Sequence, residues 1–233
     1  MVFDFGEKKI MLDAGSGASE AISDLYDEET LDLLISHLHL DHVSGLVTLI
    51  PEFAGRQLNV YAKARSGVSV SEAVDRIMTE PLWPVSPDMF GCTRFFDMPS
   101  SFTLGGVNVD TMESNHPGGS TLFRFEYGGK CVVTAFDFNH LHKYDEKLTE
   151  FARGCDLLIY DGAMSDDEFL VHSTWGHSTA SKGAEIAKKL GCRLIVTHHN
   201  PRATDAELFR EEERTQKIYE NSVFAKDGMA VEV

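Results

Sequence analysis

No stretch of this 233-residue chain approaches the ~18 uninterrupted apolar residues of a membrane-spanning helix, and the best run, Val43 to Pro51, is about half that length. A protein integral to a membrane is not expected. Cysteine is scarce: Cys92, Cys131, Cys155 and Cys192 stand far apart with no CxxC pair. The chain also opens Met-Val-Phe-Asp-Phe without a basic n-region or an apolar h-region, so a reduced, cytoplasmic setting is expected. Basic charge is short as well, with 21 Lys and Arg against 37 Asp and Glu and a formal net charge of −16. A field of that sign repels polyanions and anionic lipid, which argues against non-specific nucleic-acid binding and membrane adhesion. There is no internal repeat and no low-complexity tract. What remains, 42% hydrophobic and 25% charged residues, is an ordinary globular composition, and the length fits one domain over residues 1–233 with a large core.

Short apolar runs flanked by turn residues predict strands at Val2–Phe5, Lys8–Asp13 and Leu31–Ser36, with helical patterns at Ala18–Tyr26 and Val43–Ile50. Further strands are expected at Leu58–Ala62, Thr93–Asp97, Val107–Met112, Thr121–Glu126 and Lys130–Ala135, with Gly105-Gly106 and Gly128-Gly129 as hairpin signals, and this section reads as an antiparallel meander. Alternation of helix and strand then returns: helix at Tyr144–Ala152, strand at Leu157–Tyr160, helix at Thr179–Leu190, strand at Leu194–Thr197, a charged helix at Asp205–Asn221, and a final hairpin through Asp227-Gly228. Pro81–Gly91 reads as an ordered loop with apolar anchors at Trp83 and Phe90. Two β-layers flanked by helices is the economical architecture.

Directly after Leu33-Leu34-Ile35 comes Ser36-His37-Leu38-His39-Leu40-Asp41-His42. Alternate side chains at a strand end lie on one side, so His37 and His39 can converge on one ion, while the turn toward the next helix lets Asp41 and His42 face a second position. Imidazole and carboxylate suit zinc or other divalent first-row ions, and no cysteine is near enough in sequence to suggest a thiolate site.

This run resembles the HxHxDH signature of the metallo-β-lactamase superfamily, the hydrolases built as a four-layer αββα sandwich. Three later residues match the superfamily's order: His116 in Asn115-His116-Pro117-Gly118-Gly119, Asp137 in Thr134-Ala135-Phe136-Asp137, and His198 in Ile195-Val196-Thr197-His198. The resemblance implies an α+β fold of that kind and two divalent ions, zinc before manganese or iron. One ion would take His37, His39 and His116, the other Asp41, His42 and His198, with Asp137 and a water or hydroxide shared between them. Asp13, before the Gly-bearing turn, fits a position that supports the metal loops. The superfamily's first strand starts further upstream, so an amino-terminal strand is expected to be missing or supplied by a partner domain.

A narrower likeness lies in Gly176-His177-Ser178-Thr179-Ala180, which resembles the His-Ser-Thr motif of the ribonuclease Z and phosphodiesterase branch. It implies that His177 donates a proton or hydrogen bond beside a substrate phosphate, with Asp161 of Tyr160-Asp161-Gly162 orienting it, and that Asp41 orients the hydroxide or accepts its proton. The aspartate motif, Ala-Phe-Asp-Phe-Asn, departs from the common Gly-Asp-Thr, and the long basic arm of ribonuclease Z is not found. The expected function is therefore a phosphodiesterase acting on small phosphodiesters or nucleotide-like substrates, with a homodimer left open. The rivals are hydrolysis of a lactone or thioester, cleavage of tRNA 3′ ends, and a non-catalytic metal-binding sensor. His140, His142, His172 and His199 match no superfamily position and read as solvated or supporting groups.

Overall fold

The computed structural model describes residues 1–233, which fall into two compact units, Met1–Ser100 and Ser101–Val233.

The first unit holds a five-stranded sheet in the order β1 (Val2–Asp4), β2 (Lys9–Leu12), β3 (Thr30–Ile35), β4 (Gln57–Ala62), β5 (Thr93–Asp97), antiparallel between β1 and β2 and parallel thereafter. Central β3 is buried from Leu31 to Ile35, as a near-continuous apolar run between two parallel neighbours must be. In β4 burial alternates, with Leu58, Val60 and Ala62 inward. Helices α1 (Ala18–Ala21), α2 (Leu40–Val43), α3 (Leu46–Glu52) and α4 (Val70–Ile77) complete the unit, and Leu46, Leu49, Ile50 and Val74 join Leu33, Ile35, Leu58 and Val60 in its core.

The second unit holds a seven-stranded sheet in the order β12 (Ser222–Phe224), β11 (Arg193–Thr197), β10 (Leu157–Asp161), β9 (Lys130–Ala135), β8 (Thr121–Tyr127), β7 (Val107–Glu113), β6 (Ser101–Leu104). Strands β6 to β9 form an antiparallel meander, and β9 to β12 run parallel. Its helices are α5 (His142–Phe151), α6 (Asp166–His172), α7 (Ala180–Leu190) and α8 (Asp205–Ile218). Helix α7 starts at a Thr179 side chain that accepts from Lys182 N–H and stops at Gly191, whose φ is 73°. It lies so close to β10 that a Cβ on Gly183 would come within 2.6 Å of the Tyr160 ring.

The structure differs from the sequence expectations at several elements. Leu58–Ala62 and Thr93–Asp97, expected in the meander, pair parallel within the first sheet as parts of β4 and β5, and the meander begins instead at Ser101–Leu104. Helix α4 and helix α6 were not expected; each is short and starts at a capping box, Ser69 with Glu72 and Ser165 with Glu168. The final hairpin does not form. Ser222–Phe224 pairs parallel with β11, and no strand follows the turn at Asp227-Gly228.

In each unit the topology gathers one rim. Asp13 follows β2 and Ser36-His37 follow β3, parallel neighbours in the first sheet. In the second, β7, β9, β10 and β11 all point the same way, so His116, Asp137, Asp161 and His198 sit at or just beyond strand ends along one edge.

Candidate metal centre

The first unit's ligand run turns a sharp corner between β3 and α2. Asp13, in the left-handed region at φ 56°, accepts at Oδ1 from Ser36 N–H at 2.7 Å, and its Oδ2 receives the Ser36 hydroxyl at 2.8 Å. That same Oδ2 lies 2.7 Å from His42 Nδ1, so the imidazole donates there and its Nε2 is left as the lone-pair nitrogen. Backbone joins the two loops: Ala14 N–H donates to the His42 carbonyl and Gly45 N–H to the Ala14 carbonyl, both at 2.8 Å. The approach is close enough that a Cβ on Gly15 would come within 2.1 Å of the Asp41 carbonyl oxygen, so only glycine fits there. His37 and His42 are buried, with ring centroids 4.2 Å apart, and His37 Nε2 lies 2.8 Å from His39 Nδ1. His42 Nε2 faces Asp41 Oδ2 at 3.4 Å.

In the second unit a single buried carboxylate is the focus. Asp137, at φ 54°, lies 3.3 Å from His198 Nε2, 3.7 Å from His116 Nε2 and 3.9 Å from His177 Nδ1. The ligand atoms of His116, Asp137 and His177 all fall within 4.8 Å of one another, as do those of Asp161, His177 and His198. His116 Nδ1 lies 2.9 Å from the Gly176 carbonyl, which can only accept, so the Nε2 facing Asp137 is a lone pair in the neutral ring. His177 Nδ1 lies 3.1 Å from Asp161 Oδ2, and that carboxylate also receives the backbone N–H of Asp137 at 2.8 Å and, at its other oxygen, of Ser178 at 3.1 Å. His198, at φ 58°, stacks on Phe136.

These donor sets fit divalent cations. In the neutral state His116 and His42 each aim a lone pair at a carboxylate oxygen, a pairing of two acceptors that a cation between them reconciles. All the ligand atoms are imidazole nitrogen or carboxylate oxygen, the donors zinc takes.

Supporting roles are not legible from the motifs alone: Ser36, Asn115, Asn139 and Ser178 hold the candidate ligands' loops through hydrogen bonds to residues distant in sequence. Of the unmatched histidines, His142 is exposed and pairs with Glu146, His172 stacks on Trp175, and His199 stacks on Phe224 with its pKa lowered by burial. His140 is half-buried, and burial brings its pKa down to about 4.

Asp13→Ala should weaken zinc binding about 10–100-fold, the usual effect of removing a carboxylate that orients a ligand. Asp13→Asn should do less, because its amide oxygen can still accept from His42 and asparagine tolerates the left-handed backbone. Competition with a fluorescent chelator measures both, and an unchanged affinity in Asp13→Ala would count against the arrangement.

No helix is long and apolar enough to cross a membrane. A model of the Beta-lactamase superfamily domain matches residues 8–200 of the chain. A Ribonuclease Z of Bacillus velezensis is 32% identical over 251 residues, covering 86% of this chain and 80% of that protein. A Ribonuclease Z of Methanopyrus kandleri is 26% identical over 266 residues, covering 100% and 90%. Among solved structures, the metallo-beta-lactamase fold protein YhfI from Bacillus subtilis matches with a TM-score of 0.74 at 20% identity, covering 98% of this chain and 89% of that one. The fold is thus the metallo-β-lactamase fold, of the α+β class expected from the sequence.

Proposed function

Because the chain belongs to the β-lactamase superfamily and is a metal-dependent hydrolase, we propose that it is a dinuclear phosphodiesterase acting on small phosphodiesters, such as cyclic nucleotides, or on short nucleic-acid ends. The observation that carries this reading is the His177–Asp161 pair, 3.1 Å apart beside the Asp137 carboxylate. With Nδ1 donating to Asp161, the other nitrogen of this partly exposed ring can donate only in the imidazolium form, which the Asp161 carboxylate stabilises and orients. A phosphodiester needs such a donor, since its departing alkoxide is a poor leaving group without a proton. The net charge of −16 favours a small substrate over a long polyanion.

The order of the ligands along the chain supports assigning His37, His39 and His116 to one ion and Asp41, His42 and His198 to the other, with Asp137 shared. Zinc suits these donors best, with manganese or iron as substitutes. Paired ions in such a centre supply a nucleophilic water at neutral pH and stabilise charge on the entering and leaving oxygens. Asp41, which is exposed, orients the attacking water or accepts its proton. His177 donates to the leaving oxygen, and Asp161 keeps the donating ring in place. The reading places the enzyme in the cytoplasm.

A second reading, cleavage of tRNA 3′ ends, is favoured by the name of the relatives. The test is a panel assay on zinc-replete protein with metal content measured in parallel. Two ions per chain, and faster cleavage of an aryl phosphodiester than of the matching monoester, a lactone or a thioester, are expected. One ion or none would overturn the dinuclear reading, and equal or inverted preference would favour a lactonase or thioesterase. Efficient processing of a pre-tRNA with inert small diesters would favour the second reading, and two bound ions with no turnover of any substrate would leave a sensor domain.

A further inference from the structure

The side chain of Ser178, next to the proposed proton donor, is fully buried between two groups the function has not used. Its Oγ lies 2.7 Å from His140 Nδ1 and 2.8 Å from the Tyr160 hydroxyl. Burial raises the Tyr160 phenol well above its usual pKa and lowers that of His140 to about 4, so both are neutral at neutral pH. A neutral ring, a serine hydroxyl and a phenol form a three-member chain in which every link has one donor and one acceptor.

His140 also belongs to the segment that carries Asp137, and that segment is tied down on two further sides. Asn139 N–H donates to the Asn115 carbonyl and Asn115 Nδ2 to the Asn139 carbonyl, both at 2.9 Å, next to His116. Asn139 Nδ2 donates to the Ser173 carbonyl, four residues before His177. The His140 ring stacks on Phe169 of α6, with centroids 3.7 Å apart and planes 19° from parallel. The Asp137 segment therefore holds the loop of His177 at both Ser173 and Ser178.

We propose that His140 is a positioning residue: through Ser178 it sets where His177 stands relative to Asp137, and so governs proton delivery to the leaving group. This rests on the role given to His177 above. His140 itself touches neither a proposed ligand nor the substrate. Stacking on Phe169 would be satisfied by any flat ring, whereas the Ser178 hydrogen bond needs a polar atom at the position of Nδ1. Two substitutions separate these contributions. His140→Phe keeps the ring and removes the polar atom; His140→Asn removes most of the ring and keeps a polar atom near the place of Nδ1.

The experiment compares both variants with the unmodified protein on two diesters, one with an alkyl or nucleoside leaving group and one with nitrophenolate. His140→Phe should lose about 10–100-fold in kcat on the poor leaving group and less than about 3-fold on nitrophenolate, with KM and bound metal unchanged. His140→Asn should recover to within about 3-fold of the unmodified protein on both. In metal-free protein, amide hydrogen exchange at residues 176–180 should quicken in His140→Phe and stay near normal in His140→Asn. Equal losses on both leaving groups accompanied by a lower Tm, unchanged kcat on the poor leaving group, or failure of His140→Asn to rescue would each overturn the proposal. Should the unmodified protein cleave no phosphodiester, the functional reading fails while the exchange comparison still decides whether His140 holds the loop.

Discussion

His177→Ala is expected to keep both metal ions and to lose about 10²–10⁴-fold in kcat on an alkyl or nucleoside phosphodiester, the usual contribution of a positioned general acid. With nitrophenolate the loss should shrink sharply, because that anion departs almost unaided. The asymmetry follows from the geometry: Nδ1 of the ring is committed to Asp161 Oδ2, and the side chain retains about a quarter of its exposure, 23%, for a substrate oxygen. One of its ring nitrogens also falls within the His116, Asp137 and His177 group, so a ligand role is the competing outcome. Metal content, Tm and kcat on both diesters measured on the same preparations discriminate between these outcomes. Loss of an ion would make His177 a ligand, and an unchanged kcat on the poor leaving group would remove it from the mechanism.

Asp137→Asn should abolish activity on every substrate together with stoichiometric metal, since it deletes the carboxylate on which His116, His177 and His198 converge. The substitution is otherwise gentle. The Asp137 N–H still reaches Asp161, the Ser114 hydroxyl still donates to its carbonyl at 2.6 Å, and asparagine accepts a φ of 54°. Zinc at a hundred times its Kd should stabilise the unmodified protein by about 2.7 kcal/mol. For a chain of this size that is a rise in Tm of roughly 5–11 °C. The variant should show little of this shift, while its metal-free Tm stays close to that of the unmodified protein. An undiminished zinc-induced shift in Asp137→Asn would place the metal elsewhere.

The sequence discloses strands and strand-end residues most readily. Leu31–Ile35 is a continuous apolar run closed by Ser36-His37, and Arg193–Thr197 closes at His198, so a buried parallel strand announces both itself and the residue at its rim. Strand Ser101–Leu104 is harder to see because only Leu104 is buried. Helix α6 has no buried side chain at all and hence no apolar period to read; its signal is the Ser165–Glu168 capping box. Sheet membership is hidden too, for Thr93–Asp97 could have paired with either neighbour, and nothing in five residues states which. Around the candidate site, the histidines and aspartates stand out by type and order. Asn139 and His140 do not, because what they do is reach Asn115, Ser173 and Ser178, 24, 34 and 38 residues away.

Three of the four non-glycine residues with positive φ are Asp13, Asp137 and His198. An L-residue held left-handed costs about 1–2 kcal/mol, a cost that asparagine, aspartate and histidine bear more readily than most residues but glycine avoids. Each stands directly beyond the turn from a buried strand, where the chain must reverse and a side chain must face the rim. Glycine would make that reversal without strain and present nothing. Folding and chemistry therefore pull these positions in opposite directions. A laboratory population of this protein selected only for heat tolerance in chelator should drift toward glycine at these positions, gaining stability as it loses the ligands that bind metal.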